Sequence, residues 1–324
     1  MDGRLEQLHT WLRATLGIQQ FDLAPASADA SFRRYFRLQY NHTSHIVMDA
    51  PPQHEDCTPF IKVSALMAGI GLHVPQVLQQ DLQQGFLLLT DLGSRMYLPE
   101  LNENTVEALY GDAMQALLKL QAYHGRELPP YDRELLLGEM NLFREWYLAR
   151  HLGLELSRAE HQALDAAFDF LADTALQQPR VIVHRDYHSR NLMVATPNPG
   201  ILDFQDAVVG PVTYDLVSLL RDCYIAWPRQ QVEAWVAHYH RLATAAGIIS
   251  GISAARFLRW FDLMGIQRHL KAIGIFARLN HRDAKPAYLQ DIPRVLKYIR
   301  DVAPGYSELK PFSGLLEEKL QHVE

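Results

Sequence analysis

Two stretches of this sequence decide which fold we expect. Residues 184–191 read His-Arg-Asp-Tyr-His-Ser-Arg-Asn, and residues 201–205 read Ile-Leu-Asp-Phe-Gln. Between them, residues 196–200 read Thr-Pro-Asn-Pro-Gly. Proline, asparagine and glycine at this density favour a tight turn. We therefore expect residues 191–195 and 200–204 to form a β-hairpin around that turn.

The register of this hairpin predicts which polar side chains meet. Residues that face each other in an antiparallel pair have a constant sum of sequence numbers. If Ala195 faces Gly200, then Asn191 faces Phe204, which is the neighbour of Asp203. The open end of the hairpin is therefore expected to bring Asn191 and Asp203 together.

A third oxygen-bearing side chain, Asp186, lies on the loop that enters the same end. Carboxylate and amide oxygens are hard ligands that suit Mg²⁺, which prefers one or two carboxylates together with phosphate oxygens and water. Phosphoryl transfer needs such a set. Asn191 and Asp203 would hold metal ions against nucleotide phosphates, and Asp186 would orient the acceptor hydroxyl and accept its proton.

The complete pattern is more informative than its first three residues. His-Arg-Asp, four residues and Asn, followed by Asp-Phe, is the catalytic signature of kinases. Residues 281–283 repeat His-Arg-Asp, but residue 288 is Tyr where the pattern requires Asn, and no hairpin follows. The compound pattern at residues 184–205 therefore predicts a phosphoryl-transfer site rather than a polar loop between strands.

Composition excludes several other classes of protein. The 324 residues are 48% hydrophobic and carry a formal net charge of −6, so a disordered chain is not expected. Binding to nucleic acid or to an anionic membrane usually needs a basic surplus, so neither is an expected partner. Cys57 and Cys223 lie far apart, and the chain does not begin with a signal-peptide pattern. We therefore expect a cytoplasmic protein.

The pattern along the chain changes close to residues 91–93. Before them, short apolar runs predict strands at 32–40, 45–49 and 86–89, with one or two helices. After them, long stretches of apolar residues at helical spacing dominate. The expected fold class is α+β, with a strand-rich N-terminal lobe at residues 1–91 and a mainly helical C-terminal lobe at residues 92–324.

Together, the two motif segments resemble those of the aminoglycoside phosphotransferase and choline kinase group. The resemblance covers nearly the whole chain and implies a protein-kinase-like bilobal fold that uses ATP and Mg²⁺. Residues 28–35, 47–52 and 202–207 look closer to one branch, the bacterial N-acetylmuramate/N-acetylglucosamine anomeric kinases of cell-wall recycling. That branch implies a small-molecule sugar as partner, phosphorylated on its anomeric hydroxyl to a sugar 1-phosphate.

The same resemblance implies roles for residues outside the signature. Residues 88–92 look like the hinge whose backbone meets adenine, so Thr90, Asp91 and Leu92 are expected to bind the nucleotide. Asp215 looks like the family's structural aspartate, which braces the catalytic loop. His184 is expected to be a structural loop residue. A metal site made by His184 and His188 would need further ligands.

The first departure from the family pattern is the missing glycine-rich phosphate loop. Residues 28–35 occupy its place and contain no glycine. Backbone amides around Ser31, Phe32 and Arg33 could still contact phosphate. The alternative is an ordinary turn before a strand.

The second departure is the missing phosphate-binding lysine, because Met48 stands about where the family's strand lysine would be. We hypothesise that Lys62, on the following helix, reaches the phosphates instead and is held by Asp49. Two alternatives stay open. The role could belong to an arginine, or Lys62 could simply be solvated. The candidate arginines are Arg33, Arg34 and Arg37.

The sequence gives the least information about the residues that bind the acceptor. His188 is expected to face the acceptor. If the acceptor carries a carboxylate, as N-acetylmuramate does, Arg221 is the first candidate to bind it, and a surface ion pair is the alternative role for Arg221. Two rival functions remain at this point: a kinase for aminoglycosides or choline-like amines, and a catalytically inactive nucleotide-binding scaffold.

Overall fold

The structure is a computed structural model that describes residues 3–28, 32–125 and 127–321. The chain divides into two compact units. The first comprises Met1–Tyr97 and Asn191–Asp206, and the second comprises Leu98–Arg190 and Ala207–Glu324. The lobe boundary expected between residues 91 and 92 stays a prediction.

The regular elements of the described chain include one π-helix and three 3₁₀-helices, which are named by their ranges. In chain order, the elements are α1 (Gly3–Leu16), β1 (Asp22–Ala28), β2 (Arg34–Tyr40), β3 (Thr43–Asp49), α2 (Thr58–Gly69), β4 (Val77–Asp81), β5 (Phe86–Thr90), α3 (Tyr97–Glu100), α4 (Val106–Ala122), α5 (Arg133–Leu142), the π-helix Phe143–His151, α6 (Arg158–Leu176), β6 (Arg180–Val183), β7 (Leu192–Met193), β8 (Gly200–Ile201), β9 (Val208–Pro211), α7 (Tyr214–Leu220), α8 (Arg229–Ala245), α9 (Ala254–Asp283), the 3₁₀-helix Pro286–Asp291, α10 (Ile292–Val302), the 3₁₀-helices Ala303–Gly305 and Ser307–Leu309, and α11 (Lys310–Leu320).

The first unit is built on a five-stranded antiparallel sheet with the strand order β1-β2-β3-β5-β4. A two-residue turn joins β2 to β3, and its residues Asn41 and His42 both have positive φ, as this class of hairpin turn requires. Strand β5 lies inside the sheet, and Phe86–Leu89 are buried. Fully apolar strands are expected at such positions because both of their faces are covered.

Helix α1 provides the apolar cover for one face of this sheet. Its buried side chains cluster with alternate residues of β2, because successive residues of a strand point to opposite faces. The cluster consists of Leu8, Trp11, Leu12, Phe36, Leu38, Val47, Phe86 and Leu88.

The second unit is assembled around helix α9, which is 30 residues long. Residues 260–274 of α9 are buried without interruption, the pattern of a helix that is surrounded by other elements. Helices α5, α6, α7, α8 and α10 and the π-helix all pack against it. Within the described parts of the chain, every helix is too short or too polar to span a lipid bilayer.

A short antiparallel ladder in this unit positions the signature loop. Strand β6 pairs with β9, from Arg180 opposite Pro211 to Val183 opposite Val208. Residue 184 follows β6 directly, so the loop begins at a fixed point of a buried ladder.

We predict that Gly274→Ala destabilises the protein because the backbone of α9 lies very close there to the junction of α5 and the π-helix. A Cβ atom at this position would lie only 2.5 Å from the backbone nitrogen of Phe143. Overpacking of this kind costs about 1–3 kcal/mol. Chemical denaturation of both proteins measures the difference in free energy of unfolding.

The matched control is Gly314→Ala in α11, where an added Cβ atom meets open space. Alanine there should leave stability unchanged or raise it by up to about 1 kcal/mol through helix propensity. Equal effects of the two substitutions would contradict the close approach at Gly274.

Candidate active site

The predicted hairpin exists, but its predicted register is wrong by two residues. Met193 of β7 faces Gly200 of β8, where we expected Ala195 to do so. Asn191 is consequently opposite Leu202 rather than Phe204, and the Leu202 N–H donates to the Asn191 carbonyl over 2.9 Å.

A contact from outside the hairpin explains the difference. The Val194 N–H donates to the carbonyl of Arg95 over 2.8 Å, which takes Val194 out of the β7–β8 ladder. Ala195 then becomes part of the turn, where its N–H donates to Oδ1 of Asn198. The turn is therefore longer than the proline and glycine pattern indicated.

The new register still brings Asn191 and Asp203 together in the first unit. Nδ2 of Asn191 donates to Oδ2 of Asp203 over 3.3 Å. On the other side, Nε2 of Gln205 donates to Oδ1 of Asp203 over 2.8 Å, an orienting contact that the sequence did not reveal. Asp203 has a φ of +61°, a strained conformation for a residue with a side chain, of the kind that clusters at functional sites.

This donor set fits magnesium. In the described part of the chain no three His, Cys, Asp or Glu side chains are grouped for a metal ion. Mg²⁺ does not need such a cage, since it is usually bound by one or two carboxylates and by substrate phosphates. The Asp203 carboxylate and the Asn191 amide oxygen are ligands of that type.

In the second unit, Asp215 holds the start of the signature loop. Its carboxylate accepts from the backbone N–H of His184 over 2.6 Å and from that of Arg185 over 3.0 Å. Burial raises the pKa of Asp215 to about 6, although the nearby His184 and its N–H oppose this rise. Arg185 has a φ of +79°, so the backbone directly before Asp186 is held in a rarely occupied conformation.

His184 contributes to the same loop as a hydrogen-bond acceptor. It is completely buried, and its Nδ1 accepts from the backbone N–H of Asp186 over 3.2 Å. The Asp186 carbonyl in turn accepts from the N–H of His188 over 3.0 Å. The first of these bonds engages the Nδ1 atom of His184 with the backbone of the loop.

A buried acidic residue, Glu139 of α5, organises the cations around this loop. It pairs with Arg185 and, over 2.9 Å, with Lys271 of α9. Tyr131 and Gln267 donate to it as well. No sequence motif marks this cluster, because its members come from distant segments, with Gln267 lying 128 residues beyond Glu139.

These cations determine the charge state of Asp186, which is itself partly buried. Burial alone would raise the pKa of Asp186, but the nearby positive charges, that of Lys271 first and that of Arg268 as well, bring it down to about 2. Asp186 is therefore an ionised carboxylate at neutral pH, able to accept a hydrogen bond from an incoming hydroxyl.

A second carboxylate, Asp222, braces the end of the loop and was not predicted. It accepts from the backbone N–H of Ser189 and from that of Tyr224, each over 2.9 Å. The Tyr224 ring then lies edge-on to His188, with ring centroids 5.3 Å apart, and 3.6 Å from the guanidinium of Arg190. The bond from Tyr224 is a local aspartate turn, the one feature of Asp222 that its sequence neighbourhood could have suggested.

The two residues expected on the acceptor side have different surroundings. Burial lowers the pKa of His188 to about 4, against the opposing charges of Asp222 and Asp186, so its imidazole is neutral at pH 7. Arg221 is buried, and its guanidinium lies 3.6 Å from Asp262, so the alternative of a surface ion pair is wrong.

On the nucleotide side, the expected phosphate-loop residues are only partly described. Ser31 lies outside the described residues. Phe32 is 64% exposed, and its ring stacks on His54 with centroids 4.5 Å apart. Glu55 accepts from the Phe32 N–H over 3.2 Å and from Nε of Arg33 over 3.0 Å.

The cations proposed for the phosphates differ in how they are held. Arg34 and Arg4 both pair with the fully buried carboxylate of Asp49, at 2.5 and 2.7 Å. Arg37 pairs with Asp91 over 2.7 Å. Lys62 lies on an exposed position of α2. That Asp49 holds Lys62 stays a prediction.

The expected hinge residues are held by hydrogen bonds around the end of β5. Thr90 exchanges bonds with the backbone of Gln76, and Asp91 accepts from Arg37, Ser44 and the Gly93 N–H. Leu92 is buried. Their contact with a nucleotide stays a prediction, as does the convergence of Asp186 with Asn191 and Asp203, since Asp186 belongs to the second unit and the other two to the first.

Comparisons with known proteins identify relatives along the full chain. The model of the family described as "Phosphotransferase enzyme family" matches residues 22–258. An N-acetylmuramate/N-acetylglucosamine kinase from Pseudomonas aeruginosa is 48% identical over 334 aligned positions, which cover 100% of this chain and 99% of that protein. A protein of the same name from Neisseria meningitidis is 46% identical, with 96% of this chain and 95% of that protein covered.

Solved structures share the fold at low sequence identity. An ADP-bound aminoglycoside phosphotransferase superimposes with a TM-score of 0.59 at 15% identity, over 90% of this chain and 97% of that one. The choline kinase LicA from Streptococcus pneumoniae gives a TM-score of 0.63 at 11% identity, over 93% and 100% of the two chains. The expected protein-kinase-like α+β fold is thereby confirmed.

The low pKa of His188 predicts how stability depends on pH. The unfolded chain protonates this imidazole near its ordinary pKa of 6.5, whereas the folded protein does so only at about 4. Between these values the unfolded state binds more protons, so the free energy of unfolding decreases as the pH falls. Asp215 has the opposite effect: its pKa is raised in the folded protein, so between pH 3.8 and about pH 6 it makes the free energy of unfolding increase as the pH falls. Comparing the wild type with a variant of His188 separates the two contributions.

We expect His188→Gln to lose less stability than the wild type on acidification. The difference should reach about 1–2 kcal/mol between about pH 6.5 and about pH 5. Denaturant unfolding at a series of pH values measures it. Parallel curves for the two proteins would show that His188 titrates normally in the folded state.

Proposed function

Because the chain belongs to the phosphotransferase enzyme family, we propose that it is an ATP- and Mg²⁺-dependent kinase acting on N-acetylmuramate and N-acetylglucosamine. The phosphoryl group is transferred to the anomeric hydroxyl, giving a sugar 1-phosphate for reuse of cell-wall sugars. The names of the full-length relatives support this choice of acceptor. The cytoplasmic location expected from the sequence is part of the same proposal.

The observation that carries the proposal is the fixed, ionised Asp186. Asp215 braces the backbone on one side of it, and Asp222 holds the loop on the other. In our proposal the Asp186 carboxylate accepts a hydrogen bond from the sugar hydroxyl, orients its oxygen towards the phosphorus and takes its proton late in the transfer. A hemiacetal hydroxyl is more acidic than an ordinary alcohol, so a weak base is sufficient.

The first unit supplies the nucleotide side in this proposal. Asn191 and Asp203 would hold Mg²⁺, which when bound neutralises phosphate charge, and Gln205 would keep the Asp203 carboxylate oriented. Thr90, Asp91 and Leu92 would meet adenine through the backbone. The phosphates would be lined by Ser31, Phe32, Arg33 and Lys62.

The charges around Asp186 favour a neutral or anionic acceptor over a cationic one. Lys271, Arg268 and Arg185 all act on this carboxylate electrostatically. Two of these cations, Lys271 and Arg185, are paired with Glu139, whereas Arg268 makes no ion pair with a carboxylate among the described residues. The positive charge of an aminoglycoside or a choline-like amine close to Arg268 would be unfavourable in a partly buried site. An inactive scaffold is also disfavoured, because Asp186, Asn191 and Asp203 are all present.

A substrate screen tests the proposed acceptor. We expect ATP consumption with N-acetylmuramate and N-acetylglucosamine, and none with aminoglycosides or choline. Phosphorus NMR of the product should show phosphate on the anomeric carbon. Phosphate on an antibiotic hydroxyl, or no turnover with either sugar, would overturn the proposal.

Replacement of the catalytic carboxylate tests the mechanism. Asp186→Asn keeps the shape of the side chain but removes the charge that accepts the proton. We expect kcat to fall by about 10²–10⁴, with ATP affinity measured by calorimetry nearly unchanged.

The chain offers a matched control, because Asp283 ends the second His-Arg-Asp tripeptide and pairs with Arg282 on the surface of α9. Asp283→Asn should leave kcat unchanged. A similar loss in both variants, or full activity of Asp186→Asn, would remove Asp186 from the reaction.

A further inference from the structure

Arg268 of α9 has an unusual environment for a buried cation. The residue is only 4% exposed. The hydrogen bond that it makes within the described chain is a weak one, from a terminal nitrogen to the sulfur of Cys223 over 3.5 Å. Its Nε has no hydrogen-bond partner within the described residues. A buried guanidinium carries five donors, and leaving them unsatisfied is energetically costly.

Two neighbouring buried basic side chains of this unit are paired with carboxylates. Lys271 pairs with Glu139 over 2.9 Å, and Arg221 lies 3.6 Å from Asp262. Arg268 makes no ion pair with a carboxylate anywhere in the described chain. Its guanidinium is therefore a buried cation with no directly bonded carboxylate in the described part of the chain.

The position of Arg268 connects it to the loop that carries Asp186. Its partner Cys223 follows Asp222, whose carboxylate holds the end of the signature loop at Ser189. Arg268 also acts electrostatically on Asp186 and on His188.

Two further buried polar atoms of this loop have no protein partner among the residues described. They are Nδ1 of His188 and Oγ of Ser189. A bound ligand is one explanation for unsatisfied buried polar atoms of this kind. With Nε of Arg268, they make three unsatisfied polar atoms on the loop that carries Asp186 or linked to it through Asp222 and Cys223, which is consistent with a polar ligand there.

We propose that the guanidinium of Arg268 binds the lactyl carboxylate of N-acetylmuramate and so determines the preference between the two sugars. This inference rests on the proposed function. A guanidinium is a planar fork that matches a carboxylate with two parallel hydrogen bonds. N-acetylmuramate carries its carboxylate on the ether at C3, whereas N-acetylglucosamine has a hydroxyl there.

The chemistry of the sugar requires two separate protein groups. The reacting hydroxyl is on C1 and the lactyl ether is on C3 of the same ring. A sugar whose C1 hydroxyl meets Asp186 therefore needs its anion partner a short distance away, within electrostatic range of Asp186 but not bonded to it. Arg268 meets that condition. Arg221, the first candidate from the sequence, already shares Asp262 with Arg229.

The test compares the two sugars on one enzyme. We expect Arg268→Gln to lower kcat/KM for N-acetylmuramate roughly 10- to 100-fold relative to N-acetylglucosamine, the loss typical of a charged hydrogen bond. Arg268→Lys should lose part of this preference. The comparison variant Arg221→Gln should leave the ratio of the two sugars unchanged, whatever it does to stability.

Other outcomes overturn the inference in distinct ways. An equal loss with both sugars would assign Arg268 to the transferred phosphoryl group or to the positioning of Asp186. A change of ratio in Arg221→Gln but not in Arg268→Gln would assign the carboxylate to Arg221. A wild type inactive on both sugars would instead refute the proposed function, and the inference with it.

A substrate variant decides the matter if the arginine variants do not fold. The methyl ester of N-acetylmuramate keeps the size of the lactyl group but removes its charge. We expect the wild type to use the ester at least about tenfold less efficiently than the acid. Equal use of acid and ester would show that the enzyme does not recognise the carboxylate.

Discussion

The carboxylate of Asp215 accepts two backbone N–H groups, those of His184 and Arg185, and the geometry of the signature loop depends on this pair of bonds. A φ of +79° is intrinsically unfavourable for an arginine, so the contacts of Arg185 must maintain it. Its N–H is held by Asp215 and its guanidinium by Glu139, so it is fixed at both ends. The residue that follows, Asp186, then has little freedom in where it points. The rare backbone conformation of Arg185 thus restricts the position of the Asp186 side chain.

The charges around Asp186 suit a positioning role better than a strongly basic one. A carboxylate with a pKa of about 2 is a weak base and is ionised throughout the physiological range. The transition state of phosphoryl transfer is loose, so bond formation to the acceptor has progressed little when the barrier is crossed. A strong base would therefore gain little, whereas alignment of the hydroxyl lowers the barrier directly. Lys271 and Arg268 maintain the charge that this alignment needs.

Structural features that depend on neighbouring residues were predicted from the sequence. Features that depend on contacts between distant segments were not. The compound signature predicted the hairpin and the meeting of Asn191 with Asp203, because both follow from local turn chemistry. The register was wrong, because the Val194 N–H bonds to Arg95, which lies far away in the sequence. Strand β1 was not predicted, because its sequence Asp-Leu-Ala-Pro-Ala-Ser-Ala is poor in strand formers and its pairing with β2 creates it. The links of Glu139 and Arg268 to this loop likewise exist only once α5 and α9 have packed.

The absence of a lysine from β3 is compatible with activity when the pairing of the other cations is considered. Removing Arg34 from Asp49 would weaken the pairing of a fully buried carboxylate, which is costly. Arg37 is similarly committed to Asp91, beside the expected hinge. Recruiting either arginine to phosphate would thus disturb the sheet that presents it. A lysine at an exposed position of α2 can turn towards phosphate at little cost, because exposed ion pairs contribute little to stability, and its long flexible stem can follow a phosphate chain. This asymmetry supports Lys62 over Arg34 and Arg37 as the source of positive charge.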